Sequence, residues 1–358
     1  MQHPFLVFVY HSFRSKSSFE KKQIKRLCNK MLNFQDLPDE LILKILRYSE
    51  TKDLIFFGQV SKRIRKISRD STLWVTANLV KKIVKTELLE MILSNGCKIL
   101  NISNSDVVGT LSSNIKSQLR FLDLSARTTR ILDGYGSIKK KHSKETMDVF
   151  EELLFSCCSL QHLNIEGLLL TPKMAAGICK NGKTLQVLNL NHAYYYYYNR
   201  LDNTVLQYGD LGAIIKCCQE LKDLDFVNGN DVWLDNEDKK ILAKSVSPNV
   251  VNLNLNNHDV NNDNNFRILL IKVLILRGTL LTSDSLETIR KYLNLNLEEL
   301  SLAYYEYVCF TGIIELTSMS RLRILNLYEN KCISSKGEES QNIRQHLPHI
   351  MIRTFFDN

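Results

Sequence analysis

The feature that most constrains this chain is a spacing: apolar, two residues, apolar, one residue, apolar, recurring from residue 97 to residue 352. Copies begin at Cys97, Leu119, Leu160, Leu185, Leu221, Val250, Ile271, Leu297, Leu322 and Leu347, in steps of 22, 41, 25, 36, 29, 21, 26, 25 and 25 residues. In Leu185-Gln-Val-Leu188-Asn-Leu190 the alternation is that of a short strand with one buried face, because successive strand side chains point to opposite sides. Helix-like runs at 146–155, 211–217 and 284–292 precede such strands. A unit this small can bury its apolar face only against its neighbours. The pattern therefore predicts an α/β solenoid, a curved horseshoe with short parallel strands inside and helices outside. The seventh copy has a competitor, since Phe266-Arg-Ile-Leu269-Leu-Ile271 fits the same template.

Most of these steps match the period of about 20 to 29 residues that defines a leucine-rich repeat. Two are overlong and place insertions near 127–144 and 192–203. The first is basic, with Asp133-Gly134-Tyr135-Gly136 followed by Lys139, Lys140 and Lys141. The second holds Tyr194, Tyr195, Tyr196, Tyr197 and Tyr198. Five tyrosines in a row cannot all be buried on one face of a helix or strand, so some must meet solvent, where aromatics anchor interfaces. The alternative for that run is a low-complexity expansion, and the Asn-rich stretch at 261–265 reads as a plain loop.

Between the second and third apolar positions, one residue of each copy should face the concave side of the sheet. That row is Asn101, Asp123, Asn164, Asn189, Asp225, Asn254, Ile275, Ser301, Asn326 and Met351. Amides and carboxylates about 4.8 Å apart suit an extended polypeptide or a polar ligand, and they also simply keep a face soluble. Asn164, Asn189, Asp225, Asn254, Asn326 and the five tyrosines are the candidate target-binding residues.

Upstream, residues 37–74 carry no such repeat. Leu37-Pro38-Asp39-Glu40 is a helix start, with proline where its missing N–H is harmless and acids at the positive end of the dipole. At about 100° per residue, Leu41, Ile42, Leu43, Ile45 and Leu46 cover a stripe too wide for one core-facing side. A second helix starts at Asp53 and breaks at Gly58, and a third carries Val60, Ile64 and Ile67 between basic residues. Three helices of this length cannot build a self-sufficient core, so surplus apolar surface must be covered by a partner or by the following domain.

This segment resembles the F-box family. Leu37-Pro38, Glu40-Leu41, Asp53-Leu54, Val60-Ser61-Lys62 and Leu73-Trp74 match its landmarks, while Ser61 and Ile64 stand where the family prefers Cys and Trp. With the repeats, the chain is similar to F-box leucine-rich-repeat proteins. Cys157 and Cys218, each three residues before a strand's first leucine, match the cysteine-containing repeat subtype, whereas Gly182, Ser247, Asn294 and Met319 occupy the equivalent place in other copies. The resemblance implies a substrate-recognition subunit of a Skp-cullin-F-box ubiquitin ligase. Leu37, Pro38, Leu41, Ile42, Ile45, Leu46, Leu54, Val60, Leu73 and Trp74 would grip the Skp adaptor, which links to a cullin scaffold. The repeats would hold an unknown protein target for ubiquitination and proteasomal degradation. The alternatives are a ligase-independent repeat scaffold and, behind it, a basic nucleic-acid-binding solenoid.

Composition bounds the remaining readings. A net charge of +9 and a pI near 9.0 invite nucleic acid, but the basic residues are dispersed, without aromatics interleaved along them. The apolar run at 5–10 is too short for a membrane span, and residues 1–30 read as a disordered leader before a helical domain at 31–78 and a solenoid of about ten units at 79–358. Nine cysteines without framework spacing favour a reducing compartment, cytoplasm or nucleus. No phosphate-binding glycine loop, metal-spaced histidine pair or nucleophile elbow occurs, so the expectation is a non-catalytic chain needing no cofactor.

Overall fold

The computed structural model describes residues 34–112, 114–126, 142–168, 170–191, 209–226, 249–254, 271–276, 283–303, 310–328, 330 and 338–353. The leader expected at 1–30, the insertion expected at 192–203 with its tyrosines at 194–198, and the loop expected at 261–265 lie outside them, as do residues 127–141 of the basic insertion expected at 127–144.

Eleven three-residue strands form one parallel sheet in chain order: β1 (Thr76–Asn78), β3 (Ile99–Asn101), β5 (Phe121–Asp123), β6 (His162–Asn164), β7 (Val187–Asn189), β8 (Asp223–Asp225), β9 (Asn252–Asn254), β10 (Val273–Ile275), β11 (Glu299–Ser301), β12 (Ile324–Asn326) and β13 (Met351–Arg353). β2 (Ile83–Lys85) and β4 (Asp106–Val108) make a second, two-stranded parallel sheet. Every large-sheet strand contributes one inward residue in register, from Ala77 through Leu100, Leu188 and Leu300 to Ile352, and all eleven are buried. The outer two residues of each strand form the open face. The competing seventh register is settled in favour of Leu274, which pairs with Leu253 and Leu300.

Helices cover the buried face. α5 (Lys144–Ser156) starts where the Ser143 hydroxyl accepts the Thr146 N–H at 3.1 Å, and Val149, Phe150, Leu153 and Leu154 point inward at helical spacing. α6 (Pro172–Lys180) is capped likewise by Thr171 on the Met174 N–H, with proline in its first turn. α7 (Gly209–Cys217) and α8 (Ser283–Leu293) occupy the equivalent places before β8 and β11.

At the N-terminal end lie α1 (Asp39–Leu46), α2 (Thr51–Val60) and α3 (Lys62–Ser68). Their buried residues belong to the same continuous core as the sheet. Trp74 is 1% exposed, its indole N–H donates to the Ser68 carbonyl at 2.7 Å, and two residues later the chain enters β1. The Asn78 N–H donates to the Thr51 hydroxyl at 2.9 Å, tying α2 to the first strand.

Four sequence expectations are corrected. Thr76–Asn78, expected at the end of the helical domain, is the first strand of the large sheet; a three-residue strand whose inward residue is alanine gives no apolar alternation to read. Residues 83–92, whose sequence reads as one helical run capping the N-terminal end, begin instead with β2, and α4 starts only at Thr86 (Thr86–Ser94). α2 runs through Gly58 to Val60; a Cβ on Gly58 would lie 3.2 Å from the Ser68 hydroxyl, so this glycine serves close packing on α3 rather than a break. In the last unit Ile352, not Ile350, aligns with Leu325, because residues 347–350 form a turn closed by the Ile350 N–H on the Leu347 carbonyl at 3.1 Å. Met351 therefore pairs with Ile324, and Arg353 takes the place beside Asn326.

Gly182 explains one missing cysteine of the repeat. A Cβ there would sit 2.5 Å from the Cys217 carbonyl oxygen, so the next unit's backbone occupies the space a side chain would need. Gly182→Ala is expected to destabilise the chain by about 1–3 kcal/mol through overpacking, measured by urea unfolding.

Candidate functional site

Two surfaces carry the residues expected to meet partners. The first is on the N-terminal helices. α1 presents Ile42 and Leu46 to the core, one turn apart, and leaves Leu41 46% exposed with Ile45 half-buried beside it. α2 buries Leu54 and Phe57 and turns Phe56 and Val60 outward, 63% and 51% exposed. Each helix thus offers solvent an apolar pair at i, i+4. Arg63 of α3 fixes the start of α1: its Nε and Nη2 donate to Asp39 Oδ1 at 2.8 and 2.6 Å, and Nη2 also donates to the Leu37 carbonyl at 2.7 Å. Ser61 caps α3 by accepting the Ile64 N–H at 3.1 Å, and Ile64 is fully buried, so the two positions that depart from the F-box landmarks act inside the fold.

The expected adaptor-binding set divides accordingly. Leu37, Pro38, Leu41, Ile45 and Val60 are exposed or half-buried. Ile42, Leu46, Leu54, Leu73 and Trp74 are buried within the chain's own core and have no surface to give a partner. Their assignment as contacts is corrected: they hold the helices together. Phe56 and Tyr48 are exposed aromatics that the sequence reading missed. The run Leu54-Ile55-Phe56-Phe57 carried the signal for Phe56, since Leu54 and Phe57, three apart, share the inward side and Phe56 cannot.

The open face of the sheet is the second surface. Asn101, Asp123, Asn164, Asn189 and Asn326 all accept, through Oδ1, the N–H two residues on, at 3.0, 2.9, 3.1, 2.8 and 3.1 Å. These are Asx turns, which stop each strand after three residues and satisfy a backbone donor. Asp225 is half-buried. Burial pushes its carboxyl above the ordinary carboxylate range and neighbouring Asp223 adds to this, while the Asn254 amide opposes them. Ile275 and Ser301 interrupt the polar row, and Ser301 is buried.

Cys97, Cys157 and Cys218 are buried packing groups. Burial raises the Cys97 and Cys157 thiols to about 11 and Cys218 to about 12, so all three stay protonated at neutral pH. Among the described residues no group of three His, Cys, Asp or Glu could hold a metal ion.

The family model described as F-box-like matches residues 34–79. Residues 34–79 form an F-box-like domain. The match covers α1 to α3 and the first strand, so the F-box-like domain and the repeat sheet share β1. Among solved structures, the chain is similar to the leucine-rich repeat-containing protein LegL7 from Legionella pneumophila, at 13% identity and TM-score 0.42 over 75% of this chain and 79% of that one. It is also similar to TLR13 in its complex with ssRNA13, at 15% identity and TM-score 0.40, over 66% of this chain and 33% of the TLR13 chain. The leucine-rich-repeat architecture following the F-box-like domain rests on the parallel strand ladder and its buried leucines.

Two measurements check this surface. Asn326→Ala is expected to cost about 0.5–1.5 kcal/mol by losing the turn acceptor, and Asn326→Asp, which keeps it, to cost less in the same urea titration. Asp225 has a folded pKa raised above its unfolded value, so its ionisation opposes folding at neutral pH. Asp225→Asn should therefore stabilise the chain near pH 7, with the gain vanishing as pH falls below the ordinary carboxylate range.

Proposed function

We propose that this chain is a substrate-recognition subunit of a Skp-cullin-F-box ubiquitin ligase. Its F-box-like domain docks on a Skp adaptor, and its repeats hold a protein target for ubiquitination and degradation. The observation that carries the reading is an F-box-like domain whose outward residues Leu41, Phe56 and Val60 are apolar and uncovered, on a body whose own core is already continuous. Uncovered aliphatic and aromatic side chains on short helices are what a partner helix or groove buries, at roughly 1.5–3 kcal/mol each before association costs.

Such a subunit supplies proximity. It converts the encounter of a target lysine with a charged conjugating enzyme into an effectively intramolecular one, so no catalytic group is required of it. Catalysis would belong to the other subunits. Free cysteines among the described residues fit the reducing cytoplasm or nucleus where such complexes would work.

Co-purification with a Skp adaptor tests the proposal. The native chain is expected to capture the adaptor stoichiometrically. Leu41→Ala/Phe56→Ala/Val60→Ala, with an unchanged circular dichroism spectrum, is expected to lose at least about tenfold in affinity. A folded native chain that captures no adaptor contradicts the ligase reading and leaves a repeat scaffold.

A further inference from the structure

The open face holds a second row that the Asn and Asp positions overshadow. The first residues of β3, β5, β6 and β7 are Ile99, Phe121, His162 and Val187, stacked in register on four adjacent strands. Ile99 is 41% exposed and the other three are half-buried. The rings of Phe121 and His162 lie 5.8 Å apart at 32°, joining the row into one apolar strip. At β8 the strip ends, because Asp223 takes the position.

Beside the strip, one residue earlier in β3 and β5, stand Lys98 and Arg120. Both are exposed, and among the described residues neither side chain has a hydrogen bond or ion pair; their backbone groups are taken up by the strand ladder. Like charges side by side on neighbouring strands repel, and nothing within the described part of the chain relieves this pair. The carboxylates of the same face are differently placed. Asp123 accepts the Ser125 N–H, Asp223 accepts the Asn252 amide, and Glu166 accepts the Asn189 amide at 3.4 Å. The charge left unanswered beside the apolar strip is positive.

We propose that this end of the open face binds an extended acidic segment of a partner protein. Apolar side chains of the segment lie on Ile99, Phe121, His162 and Val187, and a neighbouring carboxylate meets Lys98 and Arg120. Strands about 4.8 Å apart present the four strip residues over a length that a few residues of extended chain can follow. A nucleic acid fits less well: Ile99 and Val187 offer no aromatic face to a base, and the two rings are packed on each other. The inference deepens the ligase reading by giving the chemistry of the target segment, and it rests on that reading only for what the segment belongs to.

The full chain, immobilised, selects from a displayed library of random dodecapeptides. Enrichment of Asp or Glu next to Phe, Leu or Ile is expected. An enriched peptide, synthesised and labelled, should bind Lys98→Glu/Arg120→Glu at least about tenfold more weakly, with circular dichroism unchanged. His162→Ala should weaken it as well. No enrichment, an enriched set that is basic or uncharged, or native-like binding by the charge-reversed chain overturns the proposal. Displacement of the peptide by generic single-stranded RNA, lost in the same variant, assigns the face to nucleic acid and also overturns it. Skp adaptor capture is measured in parallel: its failure with peptide binding intact contradicts only the ligase reading, and the converse contradicts only this inference.

Discussion

Everything in this molecule depends on one column of contacts, the inward residue of each strand packed against its counterparts in the units on either side. A three-residue strand with one buried side chain has no independent stability. Ten of them in register behind Ala77 bury a leucine or isoleucine each, at about 1.5–3 kcal/mol apiece, which is large against a net stability of order 5–15 kcal/mol. The column also dictates what the other side chains may do. Because the central residue points in, its two neighbours must point out, so a continuous open face follows from a continuous core.

The F-box-like domain is joined to that column rather than strung before it. Trp74, buried and hydrogen-bonded to α3, delivers the chain directly into β1, and the Thr51 hydroxyl holds the first strand from the other side. Its inward residues are therefore structural, and its outward residues Leu41, Phe56 and Val60 remain exposed on the surface. A joint with a shared core and a shared first strand suits the proposed receptor role, in which a target on the sheet would be presented beside whatever the helices dock on.

The fold was legible because the period of the repeat and the period of the strand coincide: Leu188, Leu224 and Leu300 were readable as inward residues from spacing alone. Legibility failed where that coincidence breaks. Ala77 gives no apolar signal, the turn at 347–350 displaces the last strand, and Gly58 reads as a helix break unless Ser68 is known to lie against it. The helical landmarks were readable as a group, but which of Leu41 and Ile42 faces inward depends on where α3 packs, a contact between residues distant in sequence. The Asx role of Asn164 and Asn189 was hidden for a different reason, since a side chain that stops a strand and one that awaits a ligand have the same residue type.

The helices and the open face are separate surfaces, and the proposed function gives them separate partners. Amide hydrogen exchange of the full chain, alone and with a Skp adaptor, tests this most directly. Added protection confined to α1 and α2, with the strands from β3 to β12 unchanged, is the predicted result. Protection spread along those strands, or none on the helices, would contradict it.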